Sequence, residues 1–529
     1  MRPKSKLSHV GHFSRTHLCA LSSTKKRVLF LRRSLLVAFL LSLVILPVRA
    51  QQALPSPPTP KRPVVDEYHG VKVTDDYRWL EDFSDPMVRS WADEQNRFSR
   101  ALLDNIPARA NIAKRLQEIY GDQSVTYYNF VQSRRLFALK SQPPQNQPLL
   151  VMLQAPDDRA SERVILDLNV LNPKGTTAID FYAPSLDGRF VVVSLSENGS
   201  EDGTAHVYET ATGKALADIV PRVNYPTGLG SFAWNRDATG FYYTRYPQGN
   251  ERPKEDLNFY QQVYFHKLGT PASADTYVIG REFPRIAEIT LSTNEDGSYL
   301  LASVANGDGG EFAHYLRTPA GEWRQLTQFS DQVKSISFGL DGRLYLLSVK
   351  DAQRGKILAL PLSNPNLADA KTLVPESDVT INYFVPAATR LYVDAMVGGP
   401  SEVRVFDLQG KQLTTIPTPP VSAVDVGVVL QGDEVLIGSM SYVEPFVWSR
   451  YNPATGKMTK TNLTSTPSVN FADAQVVREF ATSKDGTRIP LNIIMRKGTR
   501  LDGQNPTILY GYGGYAISET PNFNRRNRV

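Results

Sequence analysis

Asp187-Gly188-Arg189-Phe190-Val191-Val192-Val193 is a turn followed at once by a run of apolar side chains. Glycine takes positive φ without steric cost, and an aspartate side chain bonds the backbone two residues on, so Asp-Gly marks a tight reversal. The run after it is aromatic and β-branched but does not alternate. A strand of that texture is covered on both faces. The same phrase of small or polar turn and apolar run recurs along the chain. It is found in Arg135-Leu136-Phe137-Ala138-Leu139, Ala238-Thr239-Gly240-Phe241-Tyr242-Tyr243 and Asp296-Gly297-Ser298-Tyr299-Leu300-Leu301. It returns in Asp341-Gly342-Arg343-Leu344-Tyr345-Leu346, Thr389-Arg390-Leu391-Tyr392-Val393 and Gln431-Gly432-Asp433-Glu434-Val435-Leu436. These are seven units, spaced by roughly 40 to 50 residues.

A four-stranded sheet repeated about an axis explains that period, because each blade must bury both faces against its neighbours. The expected fold is mainly β, with one seven-bladed propeller over residues 125–464. A series of unrelated β-sandwiches is the competing reading, and the absence of a GH…WD pattern argues against a WD40 ring.

The flanks read differently. Gln51 to Pro63 is Pro-rich and reads as an extended tether. Asp85-Pro86 supplies a cap and a first-turn proline for one helix, with Val88, Trp91, Gln95, Phe98 and Leu102 down one face. Pro107 opens a second helix, striped by Ile112, Leu116, Ile119 and Tyr120. Near the other end, two strand-like runs flank Lys484-Asp485-Gly486-Thr487, a hairpin signal. Pro506-Thr507-Ile508-Leu509-Tyr510 then reads as a buried strand.

The net charge of +6 belongs to the leader. Residues 1–50 hold ten Lys/Arg and no acid, leaving 49 bases against 53 acids in the rest. That balance gives no support to nucleic-acid binding. A basic region at Lys25, Lys26, Arg27, Arg32 and Arg33 precedes the mostly apolar run Leu35 to Leu46, and Val48-Arg49-Ala50 offers a cleavage site. This is the layout of a secretion signal cleaved near Ala50, and it predicts a periplasmic or secreted protein with no stable membrane association after cleavage. The single cysteine, Cys19, lies in the leader, so the processed chain has neither disulfide nor thiol nucleophile.

Catalytic motifs are sparse. No serine stands in a G-x-S-x-G frame. Outside the leader the histidines are His69, His206, His266 and His314, and the strand-like settings of His206 and His266 suit blade residues better than bases. No HExxH or CxxC spacing supports a metal, no P-loop is present, and the turn Glu197-Asn198-Gly199-Ser200-Glu201-Asp202-Gly203 lacks the order of a calcium loop. No cofactor is expected.

Three stretches carry a family resemblance. Leu509-Tyr510-Gly511-Tyr512-Gly513-Gly514-Tyr515 resembles the LYGYGG(F/Y) motif of the prolyl oligopeptidase family of serine peptidases. Tyr68-His69-Gly70 with Asp76-Tyr77-Arg78-Trp79-Leu80-Glu81-Asp82 resembles that family's N-terminal signature, and Ser483 to Thr487 the hairpin opening its catalytic domain. The resemblance implies a signal peptide (1–50), a tether (51–63) and an N-terminal helical segment of the peptidase domain (64–124). The propeller (125–464) comes next, and then the incomplete start of an α/β-hydrolase domain (465–529). The resemblance also implies that Tyr512 donates a hydrogen bond to the oxyanion, that Tyr515 lies near the substrate pocket, and that Trp79 and Trp91 face the catalytic domain. A phenol suits the first role because it stays protonated at neutral pH. In the family the catalytic serine, aspartate and histidine lie beyond this loop, and these 529 residues offer none of them. The implied partners are short proline-containing peptides, the implied activity is cleavage after proline, and this chain alone is expected to be inactive. The alternative is a non-catalytic propeller that binds peptides.

Overall fold

The structure, a computed structural model, describes residues 56–514 and 517–529. The leader with its cleavage site at Ala50, and Tyr515, lie outside the described residues. The chain forms two compact units, divided between Asn111 and Ile112.

In the first unit, Val64–Tyr68 and Val71–Asp75 pair as a hairpin that the sequence pattern did not announce. His69 and Gly70 make its turn with positive φ of 51° and 81°. Helix α1 (Pro86–Leu103) begins as its sequence dictates, with the Asp85 carboxylate accepting from the Met87 amide at 2.8 Å. Residues 57–60 belong to no regular element but are held by side-chain hydrogen bonds. The Trp79 indole donates to the Pro60 carbonyl (2.9 Å), the Trp91 indole to Thr59 Oγ1 (3.0 Å) and Gln95 to the Pro57 carbonyl (3.0 Å). Trp79 and Trp91 pack edge to face on each other, centroids 6.4 Å apart. Helix α2 (Arg109–Tyr120) runs across the division into the second unit.

The second unit is dominated by a ring of seven four-stranded antiparallel sheets, at 126–167, 177–224, 232–279, 287–327, 333–374, 380–415 and 422–460. They are called blades 1 to 7. In every blade the strands pair in chain order. Each of the seven sequence phrases becomes the second strand of its blade, one of the two strands flanked by partners on both sides; in blade 2 this is Phe190–Glu197. That position explains the unbroken apolar runs. The turns also form as written: the Asp187 carboxylate accepts from the Arg189 amide at 3.0 Å beside Gly188 at φ 72°, and Asp296 holds the Ser298 amide at 3.0 Å beside Gly297 at φ 69°.

No single core exists in the ring. Each junction between neighbouring blades holds its own apolar cluster. The seventh junction closes the ring without a shared strand. Trp448 of blade 7, 5% exposed, donates its indole N–H to the Tyr127 carbonyl of blade 1 at 2.9 Å. Phe130 and Phe446 flank its ring edge to face at 4.8 and 4.7 Å. Side chains alone hold the seam.

After the ring, Ala474–Thr482 and Arg488–Arg496 form the hairpin expected around Lys484 to Thr487. The strand expected over Pro506 to Tyr510 does not form, and Ile508, Leu509 and Tyr510 are 94, 87 and 76% exposed. A strand needs a partner for its backbone groups, and among the described residues none is aligned with this segment. Of the α/β-hydrolase start, the described residues therefore show the hairpin alone.

Candidate functional site

Four strands alternating in direction bring the connections between second and third strands, and between successive blades, to one face of the ring. The chain enters blade 1 and leaves blade 7 on that face. The C-terminal hairpin is anchored there. Arg478 donates to the carbonyls of Val397 and Gly398, between the second and third strands of blade 6, and Asn492 donates to the Tyr442 hydroxyl in the matching loop of blade 7 at 3.1 Å.

Tyr512 lies beyond this hairpin in an extended segment. It is half-exposed, and its hydroxyl has no hydrogen-bond partner among the described residues. Its ring folds back over Gly514, where a Cβ would stand 2.8 Å from the phenol oxygen, so a larger residue there would push the tyrosine ring aside. The structure does not bring Tyr512 together with Tyr515, which is outside the described residues.

The histidines resolve into distinct environments. His69 is exposed in a turn. His314 is fully buried, with Nδ1 2.7 Å from Thr327 Oγ1, and burial pushes its pKa down to about 4. His206 is partly buried in blade 2, and burial lowers its pKa. His266 is fully buried between two carboxylates, with Nδ1 2.7 Å from Asp275 Oδ1 and Nε2 3.0 Å from Asp218 Oδ1. The Tyr243 hydroxyl donates to the other oxygen of Asp275 at 2.7 Å. Among the described residues no histidine bonds a serine hydroxyl, and no cluster of His, Cys, Asp and Glu has the spacing of a metal site.

A second buried carboxyl has almost no signature in the sequence. Asp394, in the second strand of blade 6, is 1% exposed and accepts from Asn382 at 2.5 Å, while its other oxygen has no partner. Burial pushes its pKa up to about 7. Its only sequence signal is a charged residue inside an apolar run.

Residues 57–464 match the family model described as prolyl oligopeptidase, N-terminal beta-propeller domain. The fold and this match define the chain as carrying the N-terminal propeller domain of the prolyl oligopeptidase family. It belongs to the prolyl oligopeptidase family. A prolyl endopeptidase of Elizabethkingia meningoseptica is 30% identical over 490 residues, covering 89% of this chain and 66% of the relative. Prolyl oligopeptidase A of Galerina marginata is 25% identical over 88% of this chain and 68% of its own length. Among solved structures, a prolyl endopeptidase from a study of inter-domain dynamics in catalysis and specificity shares 28% identity. Its TM-score is 0.79, over 89% of this chain and 68% of that one. Prolyl oligopeptidase B of Galerina marginata, bound to a 35mer hydrolysis and macrocyclization substrate, shares the fold at 22% identity and TM-score 0.77, over 89% of this chain and 69% of that one. The chain thus spans 66% of the length of the Elizabethkingia meningoseptica relative.

Proposed function

We propose that this chain is the propeller-bearing portion of an exported serine oligopeptidase that cleaves short peptides after proline. The observation that carries the reading is the family propeller succeeded in the same chain by Leu509-Tyr510-Gly511-Tyr512-Gly513-Gly514. In this reading the ring restricts access by size. A flexible peptide passes, whereas a folded domain does not.

Tyr512 supplies one hydrogen bond to the oxygen that becomes negative when the nucleophile attacks the peptide carbonyl. That bond strengthens as charge develops, so it lowers the barrier more than it improves binding. Tyr515 lies near the substrate pocket in this reading. The nucleophile, its acid and its histidine are assigned to sequence beyond these residues. The leader directs the protein to the periplasm or the exterior, with cleavage near Ala50.

The test is hydrolysis of a proline-containing chromogenic peptide. The 529-residue chain alone gives no turnover. The same chain joined to the C-terminal third of a prolyl endopeptidase relative gives turnover that a serine-directed inhibitor abolishes. Turnover by the chain alone overturns the assignment of the nucleophile. Peptide binding without turnover in both forms favours the non-catalytic module.

A further inference from the structure

Two stretches connect the ring to its flanking segments: residues 121–125, between α2 and blade 1, and residues 461–473, between blade 7 and the C-terminal hairpin. Both meet the same face, and one side chain ties them together. Asp122 Oδ1 accepts from the Ser124 amide at 2.9 Å and lies 2.6 Å from the Ser124 hydroxyl. Asp122 Oδ2 accepts from the Ser468 amide at 2.9 Å and from Arg525 Nη1 at 3.2 Å. The Ser124 hydroxyl also stands 2.8 Å from the Thr466 carbonyl. The carboxylate is buried, with 6% of its side chain exposed.

An apolar layer lies beside this hub. Ile119 of α2 packs with Val469 and Phe471 of the leaving stretch and with Ala474 at the start of the hairpin, with Phe523 against them. Apolar contacts of that kind are non-directional and tolerate sliding. Directed hydrogen bonds to one buried carboxylate do not, because breaking one leaves charge short of donors in a site with little water. Burial opposes ionisation of Asp122, but the Ser124 hydroxyl and the Ser468 and Ser124 amides, with Arg525, hold its carboxyl below the usual range.

We infer that Asp122 is the buckle of a hinge, locking the entering and leaving stretches into one pivot, so that the C-terminal hairpin moves off the ring only when Asp122 releases Ser468. The consequence for peptide access rests on the peptidase reading above. The fastening itself does not.

Hydrogen–deuterium exchange on the 529-residue chain reads the fastening directly, with no peptide involved, so failure of the peptidase reading leaves the outcome intact. Asp122→Ala should speed exchange at least about tenfold in 121–125 and in 464–474 together, while Phe190–Glu197 in blade 2 stays protected. Asp122→Asn, which keeps one acceptor oxygen and the side-chain shape, should give the same paired pattern at smaller amplitude. Arg525→Ala should change exchange less than either, since the guanidinium is the outermost and most distant of the donors. Acceleration confined to 121–125 would overturn the coupling of the two stretches. Equal acceleration across the blades in both Asp122 variants would mean lost folding rather than a released pivot, and an Arg525→Ala pattern matching Asp122→Ala would place the fastener in the tail.

Discussion

Replacing His266 should loosen the junction of blades 2 and 3, and the effect should depend on pH in one direction. The ring lies between Asp218, on the outer strand of blade 2, and Asp275, which precedes the last strand of blade 3. Both partners are carboxylates, so both nitrogens must donate, and only the imidazolium does that. Tyr243 braces Asp275, the Gly269 amide donates to Asp218 at 2.5 Å, and the Phe241 ring lies 5.3 Å away. His266→Ala leaves two buried carboxylates without their counter-ion, a change that costs about 3–5 kcal/mol. At about 2–4 °C per kcal/mol for a large domain, the melting temperature should fall on the order of 10 °C at pH 6. Burial alone would lower the pKa of this ring, but Asp275 and Asp218 outweigh it and hold the value above the usual 6.5. A raised folded pKa means that the ring's contribution is complete below about pH 6.5 and is lost as pH rises through the folded value. The comparison for pH is a triple variant, His266→Gln with Asp218→Asn and Asp275→Asn, in which nothing at the site titrates. Urea unfolding monitored by the fluorescence of Trp234, 2% exposed in the same junction, gives both stabilities. The wild-type advantage should shrink by about 1.4 kcal/mol per pH unit between the two pKa values. An advantage that stays flat or grows between pH 6 and pH 9 would show that the ring is neutral and refute the ion-pair argument.

The same geometry sets three further outcomes. Trp448→Ala should cost about 3–5 kcal/mol in urea unfolding and speed hydrogen exchange in blades 1 and 7, because no shared strand backs up the seam; a loss below about 1 kcal/mol would contradict a side-chain closure. Asp394→Asn should gain on the wild type as pH rises, since a carboxyl whose pKa is raised to about 7 stabilises the fold in its neutral form and costs stability once ionised. Between pH 5 and pH 8 the swing should be about 2–3 kcal/mol, and a pH-independent difference would show that Asp394 is already ionised at pH 5. In a form extended to include a nucleophile, Tyr512→Phe should lower kcat about a hundredfold, on the order of 3 kcal/mol, with little change in KM; unchanged kcat would remove Tyr512 from the oxyanion site.

The ring was legible in the sequence because its signal is local. A second strand paired on both edges and covered on both faces must be apolar throughout, and the Asp-Gly turn before it is a matter of two or three residues. The same holds for the cap at Asp85-Pro86 and the hairpin around Asp485-Gly486. Tyr512 was visible only as part of a motif, and the fold adds that its side chain is half-exposed.

What the tertiary structure decided are the groups whose state depends on residues far off in the chain. His266 draws one carboxylate from 9 residues away and the other from 48, and Asp122 meets an amide 346 residues later. Neither separation has a period to read. The segment Pro506 to Tyr510 shows the converse: its composition favours a strand, but a strand exists only when another backbone offers the matching hydrogen bonds. Propensity and turn chemistry belong to short stretches of chain, whereas pairing, burial and the charge of a buried group are set by whatever the fold brings alongside.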